Sequence, residues 1–351
     1  MNVRWVVVCV LVTAGCTGAS TRQANSVTPT STSISTSTSA STSASTVTKL
    51  ASPVTPTTTK RASRVTSTPA RPSATSPAGA SRSPVGISKV LAIVEENHSL
   101  AQMRAGMPYL SGLAAQYGYA TDYRAISHPS LPNYLAISGG STFGITDDAS
   151  PRVHPVRGPS VFGQALAAGG TARLYAESLP SPCGTASTGA YAVKHAPWAY
   201  YVDEQAQCAK GMVTAGLPSA GRLAEDIASG RLPTVGMLVP NLNDDAHDGT
   251  LRQADDWLKG WLPLLMAGPD FRAGRLAIVV TADEDDSSSG NRVLTVVIAP
   301  GVTHRVVGAA LSHYSLTRLY DDVAGAPPLR SAASAPSMAQ AFGLQLVHRA
   351  A

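Results

Sequence analysis

The chain has 351 residues, with 27 Lys or Arg against 22 Asp or Glu and a formal net charge of +5. The positive excess comes from the first 85 residues, which hold eight basic and no acidic residues. The remainder holds 19 basic and 22 acidic residues, so its mildly acidic balance gives no argument for nucleic-acid binding. Roughly 265 residues with alternating strand and helix patterns fit one large domain.

Residues 1–20 have the pattern of an export signal. Arg4 precedes an apolar stretch from Trp5 to Val12, which is too short to span a membrane as a stable helix. Thr13-Ala-Gly-Cys16 resembles a bacterial lipoprotein cleavage box, in which Cys16 becomes the lipidated first residue. An ordinary secretory peptide cleaved nearby is the alternative. We therefore expect an exported protein, either a lipoprotein on the outer face of the cell membrane or a secreted one.

Residues 21–84 consist almost entirely of Ser, Thr, Pro and Ala, with scattered Lys and Arg. They lack a hydrophobic period and cannot bury enough apolar surface to offset the entropy of ordering. This composition predicts a disordered stalk that is open to O-glycosylation. A single folded domain is then expected over 85–351, and we expect it to be a monomer.

Strand and helix patterns alternate along 85–351, and the repeated βα units predict an α/β fold. We expect a mostly parallel central sheet flanked by helices on both faces. The stretch 178–231 is expected to be rich in loops. In chain order, the predicted elements are strand 89–96, helix 108–117, strand 119–123, a helix from Ser130, helix 161–168, strands 172–176 and 235–239, helix 254–266, strands 276–282 and 293–299, and helices near 315–323 and 336–342.

The chain has four cysteines. Cys9 lies in the export signal and Cys16 is the predicted lipidation site. Cys183 and Cys208 are then the remaining pair in an exported domain, where oxidation is expected. The pattern predicts a disulfide between them, with two free buried thiols as the alternative.

Two of the predicted strands end in adjacent oxygen ligands. Glu96 and Asn97 follow the first strand, and Asp283 and Glu284 follow the strand at 276–282. Apolar strands of this kind lie in the middle of a sheet, and ligands gather beyond the carboxyl ends of such strands. Three carboxylates in one crevice would repel one another without a cation. The pattern predicts a site for one divalent metal ion, with Ca²⁺, Mg²⁺ or Mn²⁺ favoured over Zn²⁺.

Ser130 lies immediately before an apolar helix, in His128-Pro-Ser-Leu-Pro-Asn-Tyr134. Ser at this place is commonly a helix cap. The same position suits a nucleophile, because free N–H groups at a helix N-terminus can hold phosphate oxygens. A nearby dication would also stabilise the alkoxide. The residue pattern alone leaves both interpretations open.

Five segments occur in a fixed order: Val94-Glu-Glu-Asn-His-Ser99, His128-Pro-Ser-Leu-Pro-Asn-Tyr134, Pro240-Asn-Leu-Asn-Asp-Asp-Ala-His-Asp248, Thr281-Ala-Asp-Glu-Asp285 and His313-Tyr-Ser-Leu316. Together they resemble the bacterial acid phosphatase and phospholipase C phosphoesterases, over residues 88–344. The resemblance implies an alkaline-phosphatase-like fold and a metal-dependent acid phosphatase that hydrolyses phosphate monoesters through a phosphoserine intermediate. The family includes phosphatases of phosphatidylinositol 3-phosphate, so a phosphoinositide is one candidate substrate.

The resemblance also implies roles for individual residues. Glu96 and Asn97 match the first metal-ligand pair of the family, and Asp283 and Glu284 match the second. Ser130 matches the nucleophile, which would also be a metal ligand.

Further matches lie around the expected phosphate position. Asn133 would hold a phosphate oxygen, and His195 and His247 match positions near the phosphate. Either histidine could protonate the leaving alcohol. We favour His247 as the catalytic residue and His195 as a substrate-binding residue, and expect structural roles for His128 and His313.

The remaining acidic residues near these motifs are harder to assign. Asp285 and Asp286 precede a Ser-rich loop and are expected to be solvated. Among Asp148, Asp244, Asp245 and Asp248, one or two are expected to orient a histidine or to line the crevice.

Two other functions stay open from the sequence. The first is a phosphodiesterase of the phospholipase C type, which shares the fold and ligands but commonly has Thr where Ser130 stands. The second is a non-catalytic cell-envelope binding lipoprotein that keeps the fold. The intact nucleophile and ligand set argue against the second.

Overall fold

The computed structural model describes residues 86–347. The predicted export signal (1–20), the predicted stalk (21–84) and Cys16 lie outside the described residues. None of the helices within 86–347 is both long and apolar enough to cross a membrane.

Two long apolar strands form the centre of the main sheet. β1 (Lys89–Glu95) pairs in parallel with β7 (Leu276–Ala282) along its whole length. On its other side β1 pairs in parallel with β6 (Val235–Val239). Every residue of these strands except Lys89 is buried. Because successive side chains of a strand point to opposite faces, both faces of the sheet are covered at its centre.

Shorter strands extend the sheet on both sides: β2 (Gly118–Ala120), β3 (Tyr123–Arg124), β4 (Ala172–Ala176), β5 (Met212–Thr214), β8 (Thr295–Ile298), β9 (Arg305–Val307) and β10 (Leu311–Ser312). Over the described residues the main sheet has the order β5-β4-β6-β1-β7-β8-β2-β9. Its neighbouring strands are parallel, except that β8 runs antiparallel to both β7 and β2. β3 and β10 form a separate parallel pair. The predicted α/β fold with a mostly parallel sheet is confirmed.

Helices flank this sheet. The described helices are α1 (Leu100–Gly106), α2 (Pro108–Gln116), α3 (Ser130–Gly139), α4 (Val161–Ala167), α5 (Gln205–Gly211), α6 (Arg222–Ala228), α7 (Leu251–Ala267), α8 (Pro269–Arg272), α9 (His313–Ala324) and α10 (Met338–Phe342). α9 packs against β1 and β6, α4 packs against β4, and α2 packs against β8. Short 3-10 helices lie at Val193–His195, Pro197–Tyr200, Val202–Glu204 and Arg330–Ala333.

The elements missed by the sequence analysis are short. The stretch 178–231 contains α5, β5, α6 and three 3-10 helices among its loops, and none of these is long enough to show a clear period. α1 was also missed, although Ser99 and Gln102 form a capping box at its start. That Ser-x-x-Gln pattern is a recognisable helix start.

The predicted disulfide is confirmed. Cys183 and Cys208 are joined by an S–S bond of 2.03 Å, with their Cα atoms 5.5 Å apart. The bond ties the loop after β4 to α5, where Cys208 is fully buried.

The parallel strands β4, β6, β1 and β7 all have their carboxyl ends at the same edge of the sheet. The residues that directly follow these strands therefore lie close together at that edge. The opposite edge receives both ends of the described chain. Ile87 N donates to Gln345 O at 2.7 Å, and Val347 N donates to Ile87 O at 3.0 Å.

Candidate active site

Glu96 lies at the centre of a polar crevice at the carboxyl edge of the sheet. It follows β1 and is fully buried. Its Oε2 accepts a hydrogen bond from Ser130 Oγ at 3.0 Å, and its Oε1 accepts one from Tyr134 OH at 2.7 Å. Burial alone would raise the pKa of Glu96, but the charges of His195 and Lys194 and its hydrogen bonds hold that pKa below its usual value. Glu96 is therefore a carboxylate.

Asp283 and Glu284 enter the same crevice after β7. Asp283 Oδ1 accepts hydrogen bonds from the backbone N–H groups of Glu284 at 2.7 Å and Asn97 at 3.3 Å. Burial and the neighbouring charges of Glu96 and Glu284 raise the pKa of Asp283 well above its usual value. Burial, with the charge of Glu96, also raises the pKa of Glu284 to about 8. Buried carboxylates this close to one another cannot all ionise without a cation.

The donor set fits a hard metal ion. One terminal atom of the Asn97 side-chain amide lies 3.1 Å from Glu284 Oε1 and 3.3 Å from Glu96 Oε2. As nitrogen this atom donates to both carboxylates, whereas as oxygen it completes an all-oxygen set that needs a cation. Asp283 Oδ2 is buried and has no hydrogen-bond partner within residues 86–347, so it too is available to a cation. The structure thus brings together the four residues predicted as ligands.

His195 lies between two carboxylates on the other side of Glu96. Its Nε2 is 3.2 Å from Glu96 Oε1 and its Nδ1 is 3.2 Å from Asp245 Oδ2. Although burial lowers the pKa of His195, the two carboxylates raise it to about 9. The ligand atoms of these three residues lie within 4.8 Å of one another, close enough to hold a metal ion. Because the ring turns a different nitrogen to each carboxylate, we assign it instead as an imidazolium that bridges them.

Ser130 begins α3, but its hydroxyl is not the helix cap. The N-cap residue is Pro129, whose own side chain makes no cap hydrogen bond. Ser130 Oγ instead donates to Glu96, as given above. The next backbone N–H, that of Leu131, donates to Asp148 Oδ1 at 2.9 Å. The hydroxyl is therefore held in the crevice beside the predicted ligands.

Lys194 is a site residue that the sequence analysis did not single out. Its Nζ lies 3.2 Å from Ser130 Oγ, 3.1 Å from Asp148 Oδ2 and 3.3 Å from His247 Nε2. Burial lowers the pKa of Lys194, but the charges of Glu96 and Asp148 outweigh this and raise it. Lys194 stands beside His195 in the sequence, and that proximity to a predicted site residue was the available signal.

His247 lies at the mouth of the crevice and is partly exposed. Its Nδ1 is 2.7 Å from Asp248 Oδ1, and its backbone N–H donates to Asp245 Oδ1 at 2.8 Å. Since Nε2 faces the Lys194 ammonium, we assign the ring proton to Nδ1. Asp245 and Asp248 thus contact histidines at the site.

Asn133 is buried at the crevice and holds the chain ahead of α3. Its Oδ1 accepts from the backbone N–H groups of Ile126 at 2.9 Å and Ser127 at 3.0 Å. Its Nδ2 donates to Ser127 O at 2.8 Å and lies 3.3 Å from Glu284 Oε2. The structure therefore places Asn133 next to a predicted metal ligand, with its amide already engaged.

His128 and Asp285 also lie closer to the site than expected. His128 Nδ1 is 2.9 Å from Glu284 Oε2, and His128 Nε2 is 3.3 Å from Asp285 Oδ1. Asp285 is buried and accepts backbone hydrogen bonds from Ser287 and Ser289. The expectation of a solvated Asp285 was wrong, because the Ser-rich loop folds back around that carboxylate.

His313 has the structural role that was expected. Its Nε2 lies 2.5 Å from the backbone oxygen of Asp283, and its Nδ1 is 3.1 Å from Tyr123 OH. Burial lowers the pKa of His313 to about 4, so the ring is neutral and fixes the chain at Asp283.

The sequence matches a known family and curated relatives. The model of the phosphoesterase family matches residues 101–325. The phosphatidylinositol-3-phosphatase of Mycobacterium tuberculosis is 33% identical over 257 residues, which cover 72% of this chain and 82% of the relative. An acid phosphatase of Aspergillus fumigatus is 27% identical over 58% of this chain, and the match spans 47% of that relative's length. The phosphate-repressible acid phosphatase of Penicillium chrysogenum is 26% identical over 63% of this chain and 55% of its own length.

Solved structures show similarity of fold. A protein from a Bacteroides thetaiotaomicron locus for glycosaminoglycan metabolism matches with a TM-score of 0.51 and 11% identity, covering 75% of this chain and 83% of that chain. A protein in the alkaline phosphatase superfamily from Vibrio parahaemolyticus matches with a TM-score of 0.47 and 12% identity, covering 69% and 67% of the two chains. With the family match and the mycobacterial relative, the resemblance read from the sequence motifs is confirmed: the chain belongs to the phosphoesterase family and is a phosphoric monoester hydrolase.

Proposed function

We propose that this protein is an exported, metal-dependent acid phosphatase that transfers the phosphoryl group of a monoester to Ser130 and then to water. The observation that carries the proposal is the position of Ser130 Oγ, 3.0 Å from Glu96 Oε2 and 3.2 Å from Lys194 Nζ. A hydroxyl between a carboxylate and an ammonium has an acceptor for its proton and a cation for the charge that develops on transfer.

The proposed metal ligands are Glu96, Asn97, Asp283 and Glu284, with Ser130 Oγ as a fifth. All five offer oxygen, which favours Ca²⁺, Mg²⁺ or Mn²⁺ over Zn²⁺. When bound, such a cation supplies Lewis-acid stabilisation of the ionised serine and of the transferred phosphoryl group. Two observations support the proposal: the carboxylates are crowded, and Asp283 Oδ2 has no hydrogen-bond partner within residues 86–347.

The chain's own residues would divide the chemistry as follows. Ser130 Oγ attacks phosphorus, so that the Oγ–P bond forms while the bond between phosphorus and the ester oxygen breaks. The Lys194 ammonium would stabilise the negative charge on the phosphoryl oxygens. His247, at the mouth of the crevice, would act in its doubly protonated form and donate the proton on Nε2 to the departing alcohol, keeping the proton on Nδ1 that faces Asp248. The same histidine then takes a proton from the water that hydrolyses the phosphoserine.

The relative from Mycobacterium tuberculosis is called a phosphatidylinositol-3-phosphatase, and we propose a phosphoinositide as a candidate substrate here. Export and a lipid anchor at Cys16 rest on the sequence pattern of residues 1–20. Both are proposals for a part of the chain that lies outside the described residues.

A substrate pair tests the monoester proposal against the phospholipase C alternative. Purified protein with added Mg²⁺, Ca²⁺ or Mn²⁺ is assayed on a nitrophenyl monophosphate and on nitrophenyl phosphocholine. We expect turnover of the monoester to exceed that of the diester by at least about 100-fold, because Lys194 and the bound cation favour a dianion. Equal or faster turnover of the diester would favour the phosphodiesterase alternative.

A further inference from the structure

One carboxylate already occupies the hydrogen-bond donors that surround the nucleophile. Asp148 Oδ1 accepts from the backbone N–H of Leu131 at 2.9 Å, and Asp148 Oδ2 accepts from Lys194 Nζ at 3.1 Å. Leu131 directly follows Ser130 at the start of α3, a helix of ten residues. The two oxygens of Asp148 therefore bridge a helix N-terminus and a fixed ammonium.

The same two donors are suited to a phosphoryl group on Ser130. Its non-bridging oxygens would lie two bonds from Ser130 Oγ, and Lys194 Nζ is only 3.2 Å from that atom. The N–H of Leu131 points toward an anion at the helix start, where backbone amides and the helix dipole favour negative charge. A phosphate dianion and the Asp148 carboxylate compete here, because both are negatively charged hydrogen-bond acceptors that repel each other and the single N–H of Leu131 can serve only one of them.

We propose that Asp148 is a stand-in for the substrate phosphate, which must displace it to reach Ser130, and that its return helps to expel inorganic phosphate. The inference rests on the proposed function of Ser130 as the phosphoryl acceptor. Asp148 is therefore a specificity-determining residue. A substrate binds only if its phosphate group is negative enough to displace the Asp148 carboxylate from the Leu131 N–H and from Lys194 Nζ.

The proposed movement involves the side chain of Asp148, whose segment is held only at points. Residues 141–160, between α3 and α4, contain turns, bends and an isolated bridge at Val156 but no helix or extended strand. The Asp148 side chain is about one-third exposed, at 31%, so water can receive it when phosphate enters. Its neighbour Asp147 faces away from the donors and pairs with His154 at 2.6 Å.

Calorimetric titration with inorganic phosphate tests the inference without turnover. Asp148→Asn and Asp148→Ala are compared with the parent at one fixed concentration of the same divalent metal, and again in chelator. We expect the dissociation constant for phosphate to fall by at least about tenfold in both variants, because removing an adjacent like charge favours anion binding. In steady-state assays KM should fall and kcat should fall with it, since phosphate leaves more slowly.

Asp147→Asn is the matched control, because it removes a carboxylate from the same segment without touching Leu131 or Lys194. Its phosphate affinity should stay within about twofold of the parent. A second variant, Lys194→Met, should remove most of the gain when combined with Asp148→Asn, since the freed donor is then missing.

Unchanged or weaker phosphate binding in both Asp148 variants, with melting curves that show folded protein, would overturn the inference and leave Asp148 as a cap for Leu131. The proposed function fails separately, if the parent itself does not hydrolyse phosphate monoesters. Phosphate binding is measured independently of hydrolysis, so the two failures are distinguishable.

Discussion

The Ser130 hydroxyl does not cap α3, because neighbouring residues occupy the positions that a capping serine would take. Pro129 is the N-cap residue of α3 and Asp148 accepts from the first-turn N–H of Leu131. Ser130 Oγ is left to contact Glu96 and Lys194. The residue type and its position in the helix could be predicted from the sequence, but the choice between cap and nucleophile depends on these tertiary contacts.

Ser130→Ala should be folded and nearly inactive. Loss of a cap alone costs about 1 kcal/mol of stability and leaves turnover nearly unchanged. Loss of a nucleophile should reduce kcat by several orders of magnitude, each factor of ten corresponding to about 1.4 kcal/mol of barrier. Rapid-quench labelling of the parent with a radioactive monoester should trap phosphate on Ser130.

Ser138→Ala is the matched control, because Ser138 is buried in the same helix and contacts Tyr201 rather than the crevice. It should keep kcat within about twofold while losing stability of about 1 kcal/mol. If Ser130→Ala retains more than about a tenth of parental kcat, equivalent to ~1.4 kcal/mol of barrier, the phosphoserine mechanism is wrong.

Among the secondary-structure elements, the strand ends were predictable and the short turns were not. The apolar runs of β1 and β7 are followed directly by polar residues, so the carboxyl end of each strand could be predicted. Parallel pairing of the two strands then places Glu96 beside Asp283. Lys194 belongs to a three-residue 3-10 helix, which has no period to detect. Its place is set by tertiary packing, in which the His195 ring stacks on Tyr134 with centroids 4.9 Å apart.

The carboxylates at these strand ends predict a specific thermal signature. A bound divalent cation should raise the melting temperature of the parent, and chelator should reverse this and abolish phosphatase activity. Asp283→Asn should lose the metal-induced shift. In chelator it should melt at or above the parent, because a neutral amide replaces a buried carboxyl group that is crowded by Glu96 and Glu284 and whose Oδ2 has no hydrogen-bond partner within residues 86–347. Scanning fluorimetry with and without Mg²⁺, Ca²⁺ or Mn²⁺ measures both effects.

Asp286→Asn is the control for this comparison, since Asp286 is exposed and binds Gln102 instead of the crevice. It should show the parental metal shift. A parent that stays fully active after exhaustive dialysis against chelator would rule out the metal-dependent mechanism.

At the scale of the whole molecule, every proposed catalytic and metal-binding residue lies between Glu96 and Glu284, inside the described domain. Removing residues 1–84 should therefore leave kcat on a soluble nitrophenyl monophosphate within about twofold of the full chain, because the composition of residues 21–84 offers no hydrophobic pattern for packing and no proposed catalytic residue precedes Glu96. Purified 85–351 and full-length protein are compared at equal metal concentration. A large fall in turnover for 85–351 would show that the preceding segment takes part in catalysis or folding.

The pairing of Ile87 with the 345–347 segment has a consequence for how the enzyme can be presented to a substrate. Both ends of the described chain leave from the amino end of β1, whereas Ser130 and its crevice lie at the carboxyl end, about 23 Å along a seven-residue strand. When the described residues are held directly at either of these two ends, the crevice therefore faces away from the point of attachment. Immobilisation of the 85–351 protein through a tag at either terminus should therefore leave the crevice accessible to a soluble phosphate monoester.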